Sequence, residues 1–181
     1  MKRVLATLFV LLFLFSNCFS QVDPGARQIA LARSNVSTSQ DVFSIYNNPA
    51  GLSSLISREG GIFYSPAPFG IRELSTGSAA FCEPTSIGSF GAGFSVYGFD
   101  LYRETSVALA YSRKITSDFS IGITSIYRNI SIRNYGSRGF LLFNAGANAK
   151  LGSKINLGFI IENATRSSLS NYANQIPVVL H

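Results

Sequence analysis

Apolar residues alternate with small or polar residues along most of the chain after residue 60. In the stretch SIGSFGAGFSVYG, Phe90, Ala92 and Phe94 share one parity, whereas Ser89 and Gly91 share the other. The same period of two recurs in segments 105–113, 118–129, 139–151 and 154–163. Because successive side chains of a β-strand point to opposite faces, the pattern predicts strands with one apolar face and one small or polar face.

The length of these segments indicates strands that cross a membrane. Globular strands usually have about 5–6 residues, whereas membrane-crossing strands need about 9–11. A face rich in Gly, Ser, Asn and Thr suits a hydrated or plugged interior, and the apolar face suits lipid. The sequence therefore predicts an all-β fold, a transmembrane antiparallel up-and-down β-barrel.

The connections between the strands support this prediction. Counting from a first strand near residues 61–65, every second connection is short: 83–86, 114–118 and 151–154. The others are mostly longer: 66–73, 98–102, 133–138 and 165–174. Short periplasmic turns and longer extracellular loops are typical of outer-membrane barrels. An aromatic girdle is expected near the outer strand ends, from Tyr97, Phe99, Tyr102, Tyr127 and Tyr135.

The stretch DVFSIYNNPAGLSSL, residues 41–55, precedes the strands and follows a different pattern. Asp41 is a plausible N-cap for one or two helical turns, and Pro49 ends that helix because the residue before proline leaves the α region. We expect this stretch to plug the barrel. Its apolar residues would pack against the inner wall: Val42, Phe43, Ile45 and Tyr46.

The first 20 residues have the form of a cleaved signal peptide. Lys2 and Arg3 precede an apolar run that is too short for the roughly 20 residues of a spanning helix. A retained anchor helix and a lipid-bearing Cys18 are the less favoured alternatives. The expected organisation is a signal peptide over residues 1–20, a plug over 21–57 and barrel strands over 58–181.

The amino-acid composition reduces the number of function classes that fit the chain. Charged residues make up only 13% of the chain, against an average of about 25%, and there are 15 Phe, 8 Tyr and no Trp. Without residues 1–20, 13 basic and nine acidic residues remain, which gives a net charge of +4. The basic residues are scattered along the chain and form no cluster, so the sequence gives nucleic-acid binding little support. A single cysteine, Cys82, would remain in the exported chain and could form no intrachain disulfide.

Residues for enzymatic chemistry are scarce. The only histidine is His181, and Cys82 has no histidine near it in sequence, so neither a nucleophilic pair nor a metal site is expected. We expect a non-enzymatic protein without a cofactor. Three charged residues fall on the polar face: Arg128, Lys150 and Glu162. They could bind an anion, but hydrated lumen residues or mutual ion pairs are the more ordinary interpretation.

The N-terminal stretch GARQIALARSNVSTSQDVFSIYNNPAGL resembles the PorV/PorQ family of outer-membrane proteins, relatives of the FadL-type fatty-acid transporters. The matching residues are Gly25, Ala26, Arg27, Asp41, Asn48, Pro49, Ala50, Gly51 and Leu52. The resemblance covers residues 25–55, and Ala32 to Asn35 replace a segment that is Gly-rich in the family. It implies an Asn-Pro-Ala-Gly turn that leads into the first strand of the barrel.

The resemblance also implies a larger barrel than this chain can form. A family barrel of about fourteen strands needs some 300 residues, whereas this sequence has room for about seven or eight strands. We therefore expect an incomplete barrel, with a complete eight-stranded barrel as the alternative.

Three functions remain open at this point. The resemblance favours an outer-membrane component of protein secretion of the type IX kind or of cell-surface assembly, in contact with lipid and with secretion components. The alternatives are a FadL-like conduit for fatty acids or other hydrophobic small molecules, and a secreted or periplasmic β-rich structural protein.

Overall fold

The computed structural model describes residues 24–32, 34–152, 154–165 and 179–180, the last two by their backbone alone. The expected signal peptide lies outside these residues. The described chain forms one antiparallel sheet in which every strand pairs with its neighbours in sequence. The strands are β1 (Glu59–Ser65), β2 (Thr76–Thr85), β3 (Gly88–Gly98), β4 (Tyr102–Lys114), β5 (Phe119–Ile132), β6 (Gly136–Leu151), β7 (Ile155–Glu162) and β8 (Val179–Leu180). The prediction of an antiparallel up-and-down all-β fold is confirmed.

Short helices precede the sheet. They are α1 (Ala26–Ala30), α2 (Ser44–Asn47) and a 3-10 helix, Pro49–Ser54. Two further single-turn 3-10 helices, Pro68–Gly70 and Arg72–Leu74, lie between β1 and β2. We call residues 24–57 the N-terminal segment.

The helix stop at Asn48 is as predicted, but the helix start is not. Asn48 is extended, with φ −136° and ψ 102°, so α2 ends before Pro49. Asp41 does not cap α2: the N-cap position is Phe43, without a side-chain hydrogen bond. The carboxylate of Asp41 instead accepts hydrogen bonds from the Gln28 amide, at 2.9 and 3.1 Å.

The two faces of the sheet differ as the alternation predicts. The face that contacts the N-terminal segment, here the inward face, carries a row of paired residues across six strands: Gly61, Ala80, Gly93, Ala108, Ile126 and Leu142. The neighbouring row on the opposite, outward face is Ile62, Ala79, Phe94, Val107, Tyr127 and Leu141. The sheet thus buries mostly small residues and exposes most of its large apolar ones.

The hydrophobic core lies between the N-terminal segment and the inward face. Val42, Ile45 and Leu52 from the segment are almost completely buried. They pack with inward-facing residues of β2, β4, β5 and β6: Ala80, Cys82, Ala108, Ala110, Ile126 and Leu142. The segment supplies most of the large apolar side chains of this core, and the sheet adds mainly small residues together with Ile126 and Leu142.

The expected difference in loop length holds only in part. The turns on one side are short, at residues 86–87, 115–118 and 152–154. On the other side, the β3–β4 and β5–β6 turns are equally short, at residues 99–101 and 133–135. The β5–β6 turn is shorter than expected because β6 already begins at Gly136. The pairing of β5 with β6 continues to Ile132 and Gly136, so residues 136–138, which the sequence predicts to be part of a loop, belong to β6.

The sheet is not closed within the described residues. Its order runs linearly from β1 to β8, and β8 contributes only two residues. An eight-stranded barrel has an interior just wide enough for side chains. Here a helical segment also lies on the inward face. The described chain is an open, up-and-down sheet.

Candidate functional site: the N-terminal segment on the inward face

Asn48 anchors the N-terminal segment to the far side of the sheet. Its side-chain nitrogen donates to the Val36 carbonyl at 2.7 Å and to the Ala147 carbonyl of β6 at 3.3 Å. Its side-chain oxygen accepts from the Ala50 amide at 3.1 Å. Asn48 is fully buried. One carboxamide therefore fixes both the local turn and the contact with a strand a hundred residues later in sequence.

The Ala50 carbonyl makes a second connection, to the middle of the sheet. It accepts hydrogen bonds from the hydroxyls of Ser112 in β4 and Ser120 in β5, at 3.2 and 3.3 Å. Nearby, the Ile45 carbonyl accepts from the Thr124 hydroxyl of β5 at 3.1 Å. The hydroxyls of the inward face thus donate to backbone carbonyls of the short helices, and the Ser53 hydroxyl of the segment itself also donates to the Ala50 carbonyl, at 2.8 Å.

Glycines of the inward face allow the backbone of the segment to approach the sheet closely. A Cβ at Gly122 would lie 2.5 Å from the Ala50 nitrogen and from the Pro49 carbonyl carbon. Equally close contacts arise at Gly146, against Asn48, and at Gly158, against the backbone of Ser37. The small residues of the polar face are therefore contact positions for the segment.

Polar contacts also hold the N-terminal segment together internally. The Asn47 amide donates to the Asn35 side chain at 2.8 Å, and the Ser39 and Ser44 hydroxyls lie 2.8 Å apart. A further contact joins the segment to the sheet: the Val42 amide donates to the Glu59 carboxylate of β1 at 2.9 Å. These contacts give the segment a defined shape despite its lack of long helices.

The apolar plug residues lie where the sequence places them, against the inward face. Tyr46 is buried, and its hydroxyl lies beside Ser95 of β3 without the geometry of a hydrogen bond. Burial raises the pKa of the Tyr46 phenol, which keeps the side chain neutral. Phe43 is partly buried and packs against the core.

The Asn48–Leu52 motif has a different shape from the one expected. The sequence predicts a sharp turn that leads straight into the first strand. The structure has a 3-10 helix, Pro49–Ser54, followed by residues 55–58 before β1. A Cβ at Gly51 would collide with the Ser39 carbonyl oxygen, so this glycine serves close packing within the segment.

Arg128 and Lys150 both share the parity of the inward face but lie at opposite ends of it. Arg128 donates to the Ser106 hydroxyl at 3.3 Å and lies 3.9 Å from the Glu104 carboxylate. Lys150 is exposed next to the β6–β7 turn. Glu162 ends β7, opposite Val179 of β8. The three residues are not gathered into one site.

Sequence reasoning missed Glu104 and the inward position of Tyr102. The Tyr102 hydroxyl donates to the Glu104 carboxylate at 2.6 Å. Both residues share the parity of Ser106, and that parity was the available signal. Tyr97, which pairs with Glu104, also lies on the inward face. The expected girdle position is therefore wrong for Tyr97 and Tyr102, because both side chains belong to the inward face.

Charges on the outward face occur only near strand ends. Arg103 and Arg113 bracket the outward residues of β4, which are Thr105, Val107, Leu109 and Tyr111. Ten residues span about 34 Å along a strand, or about 24 Å along the normal at a tilt of ~45°. An outer-membrane barrel has an apolar band about 25 Å tall. In β5, β6 and β7 the described outward positions carry no charged residue.

Comparison of the chain with protein-family models, with curated protein sequences and with solved structures finds no match. Within the described residues, no helix is both long and apolar enough to cross a bilayer.

Proposed function

We propose that this protein is a non-enzymatic outer-membrane β-barrel component whose outward face contacts lipid and whose N-terminal segment plugs the interior. One observation carries the proposal: the sheet buries its small and polar face and exposes its apolar face. A sheet with one face in water has the opposite arrangement, with apolar residues inside and polar residues outside. Leu109 and Ile123, for example, are 63% and 60% exposed.

The size of the exposed face supports lipid as its environment. Soluble monomers rarely expose contiguous apolar patches beyond a few hundred Å². Here half-exposed Phe, Leu, Ile and Val side chains occur on neighbouring strands from β2 to β7. A secreted or periplasmic structural protein would leave this face in water, which makes that alternative the weaker one.

The described sheet has unpaired edges at β1 and β8, which bear on how a barrel could be completed. Unpaired backbone groups cost several kcal/mol each in hydrocarbon, so only closed barrels are stable there. We therefore propose that further strands pair with the β1 and β8 edges in the assembled barrel. This is in keeping with the larger barrel that the resemblance to the PorV/PorQ family implies.

The finer function follows from the same resemblance, and we propose a role in protein secretion or surface assembly. The segment that carries the resemblance is hydrogen-bonded to the sheet: Ala50 to β4, Ile45 to β5 and Asn48 to β6. A FadL-like conduit would be expected to offer large apolar side chains to its substrate. The inward face next to the segment is mainly Gly, Ser, Ala and Thr, which favours a fixed plug over a lipid path.

Phase partition and electrophoresis test the membrane proposal. The protein should enter the detergent phase of a Triton X-114 extract and should migrate differently before and after heating in SDS. Recovery from the aqueous phase would overturn the proposal. For the finer function, co-purification with secretion components is expected, whereas uptake of labelled fatty acid dependent on this protein would favour the conduit.

A further inference from the structure

Four basic residues gather at one end of the sheet. Arg113 has the parity of the outward apolar face, Lys114 and Lys150 have the parity of the inward face at their strand ends, and Lys154 lies in the β6–β7 turn. Arg113 and Lys114 end β4, Lys150 lies near the end of β6, and Lys154 precedes β7. Because alternate strands run in opposite directions, these positions meet at the same end of neighbouring strands: Lys114 pairs with Ser120 and Lys150 pairs with Asn156. We call these four residues the basic rim.

The basic rim is exposed, and described neighbours neutralise its charges only in part. All four side chains are exposed, and none forms an ion pair with a described residue. Asp118 in the adjoining turn is the acid beside the rim: its carboxylate accepts from the Ser117 hydroxyl at 3.1 Å, and its backbone carbonyl accepts from the Lys150 amide at 2.7 Å. It offsets one of the four positive charges. The rim therefore presents a net positive charge beside an apolar surface.

The opposite end of β4 differs and gives a natural comparison. Arg103 occupies the same outward parity as Arg113, ten residues earlier. Its guanidinium lies 3.5 Å from the Asp100 carboxylate. One end of the strand thus carries a partly neutralised arginine, and the other end carries the basic rim.

We propose that the basic rim binds the phosphate groups of anionic lipids at its surface of the bilayer. The inference rests on the proposed membrane location, since the apolar band places the rim at the headgroup level. Exposed Arg and Lys near an anionic membrane surface attract its phosphates, and the attraction weakens within a Debye length. Arg113 faces outward and can pair with a phosphate in bidentate geometry, while the lysines act as point charges.

Spin-labelled lipids test this proposal directly. The full-length protein is reconstituted in phosphatidylcholine bilayers with a trace of spin-labelled phosphatidylglycerol or, separately, spin-labelled phosphatidylcholine. The fraction of each label that the protein immobilises gives the relative association constant. We expect preference for the anionic lipid, and we expect it to fall in R113Q/K114Q by up to about fivefold for each charge removed. R103Q is the matched control and should keep the preference.

The outcomes separate this inference from the membrane proposal. If neither labelled lipid is immobilised, the protein is not embedded in the bilayer and the proposed function fails. If both are immobilised equally by the wild-type protein, only the basic rim inference fails. An equal loss of preference in R103Q and R113Q/K114Q would also overturn the inference, because the charge of the rim would then have no special role. Salt at about 1 M, where the Debye length is about 3 Å, should reduce the wild-type preference.

Discussion

A single carboxamide and a single glycine show how residues fix the N-terminal segment to the sheet. Asn48 uses its nitrogen for carbonyls of two different elements and its oxygen for its own turn. Gly122 leaves room for the backbone at Pro49 and Ala50. Neither residue makes a large apolar contact, so their importance follows from hydrogen bonding and steric fit.

Replacing Asn48 with Ala should destabilise the folded protein by about 1–3 kcal/mol, because it leaves buried carbonyls and the Ala50 amide without their partner. The urea midpoint of the detergent-folded protein measures the change. Asn156→Ala, at an exposed position in β7, is the control and should stay within about 0.5 kcal/mol of the wild type. Equal midpoints for the two variants would show that the Asn48 contacts contribute nothing.

Gly122→Ala should loosen the N-terminal segment, because the added Cβ meets backbone atoms that cannot rotate away. Cys82 reports the change, since it is fully buried in the core beside the segment. We expect faster labelling of Cys82 by a maleimide in Gly122→Ala than in the wild type.

Gly60→Ala is the matched control for that variant. Gly60 has no positive φ, and its nearest neighbour would be the Phe81 ring, 3.8 Å from the added Cβ. Its labelling rate should equal that of the wild type. Unchanged Cys82 labelling in Gly122→Ala would contradict the close approach of the segment to β5.

At the scale of elements, the hydrophobic pattern predicts the strands well, and the sequence predicts the short helix before Pro49 but not its N-cap. Alternation along β3 to β6 is a local property that directly follows the geometry of a strand. Asp41 instead has the local form of an N-cap, but a long-range hydrogen bond from Gln28 engages its carboxylate. Turn lengths were overestimated where strand pairing continued, as at Gly136, because pairing partners cannot be read from one strand alone.

Leu109 lies near the midpoint between Arg103 and Arg113 on the outward face of β4, so we expect a charge introduced there to affect membrane insertion. Leu109→Lys should impair membrane insertion, because a lysine at the middle of the bilayer costs about 2–4 kcal/mol on a barrel surface. The yield of heat-modifiable protein in vesicles measures insertion. Tyr135→Lys, in the exposed β5–β6 turn, should insert normally. Insertion of Leu109→Lys at the wild-type yield would argue that Leu109 does not face lipid.

At the scale of the whole molecule, the sequence predicts the faces of the sheet but not its closure. The apolar face can be read from every second residue of a single strand. Closure depends instead on pairing between the first and last strands, which are far apart in sequence. The described sheet has two edges, at β1 and β8, and the N-terminal segment occupies the space that a small closed barrel would fill with side chains. The placement of the plug residues follows from their sequence, because a run of apolar side chains needs a shielded surface, and among the described residues the inward face of the sheet provides one.

The most direct measurement of the central claim is a spin-label scan along the outward face of β4. Single labels are placed at residues 103, 105, 107, 109, 111 and 113 in a Cys82→Ala background, and the protein is reconstituted in vesicles. We expect collision with oxygen to peak at 107 and 109 and collision with a water-soluble nickel chelate to rise only toward 103 and 113. High nickel accessibility at 107 and 109 would contradict the account, because that face would then lie in water.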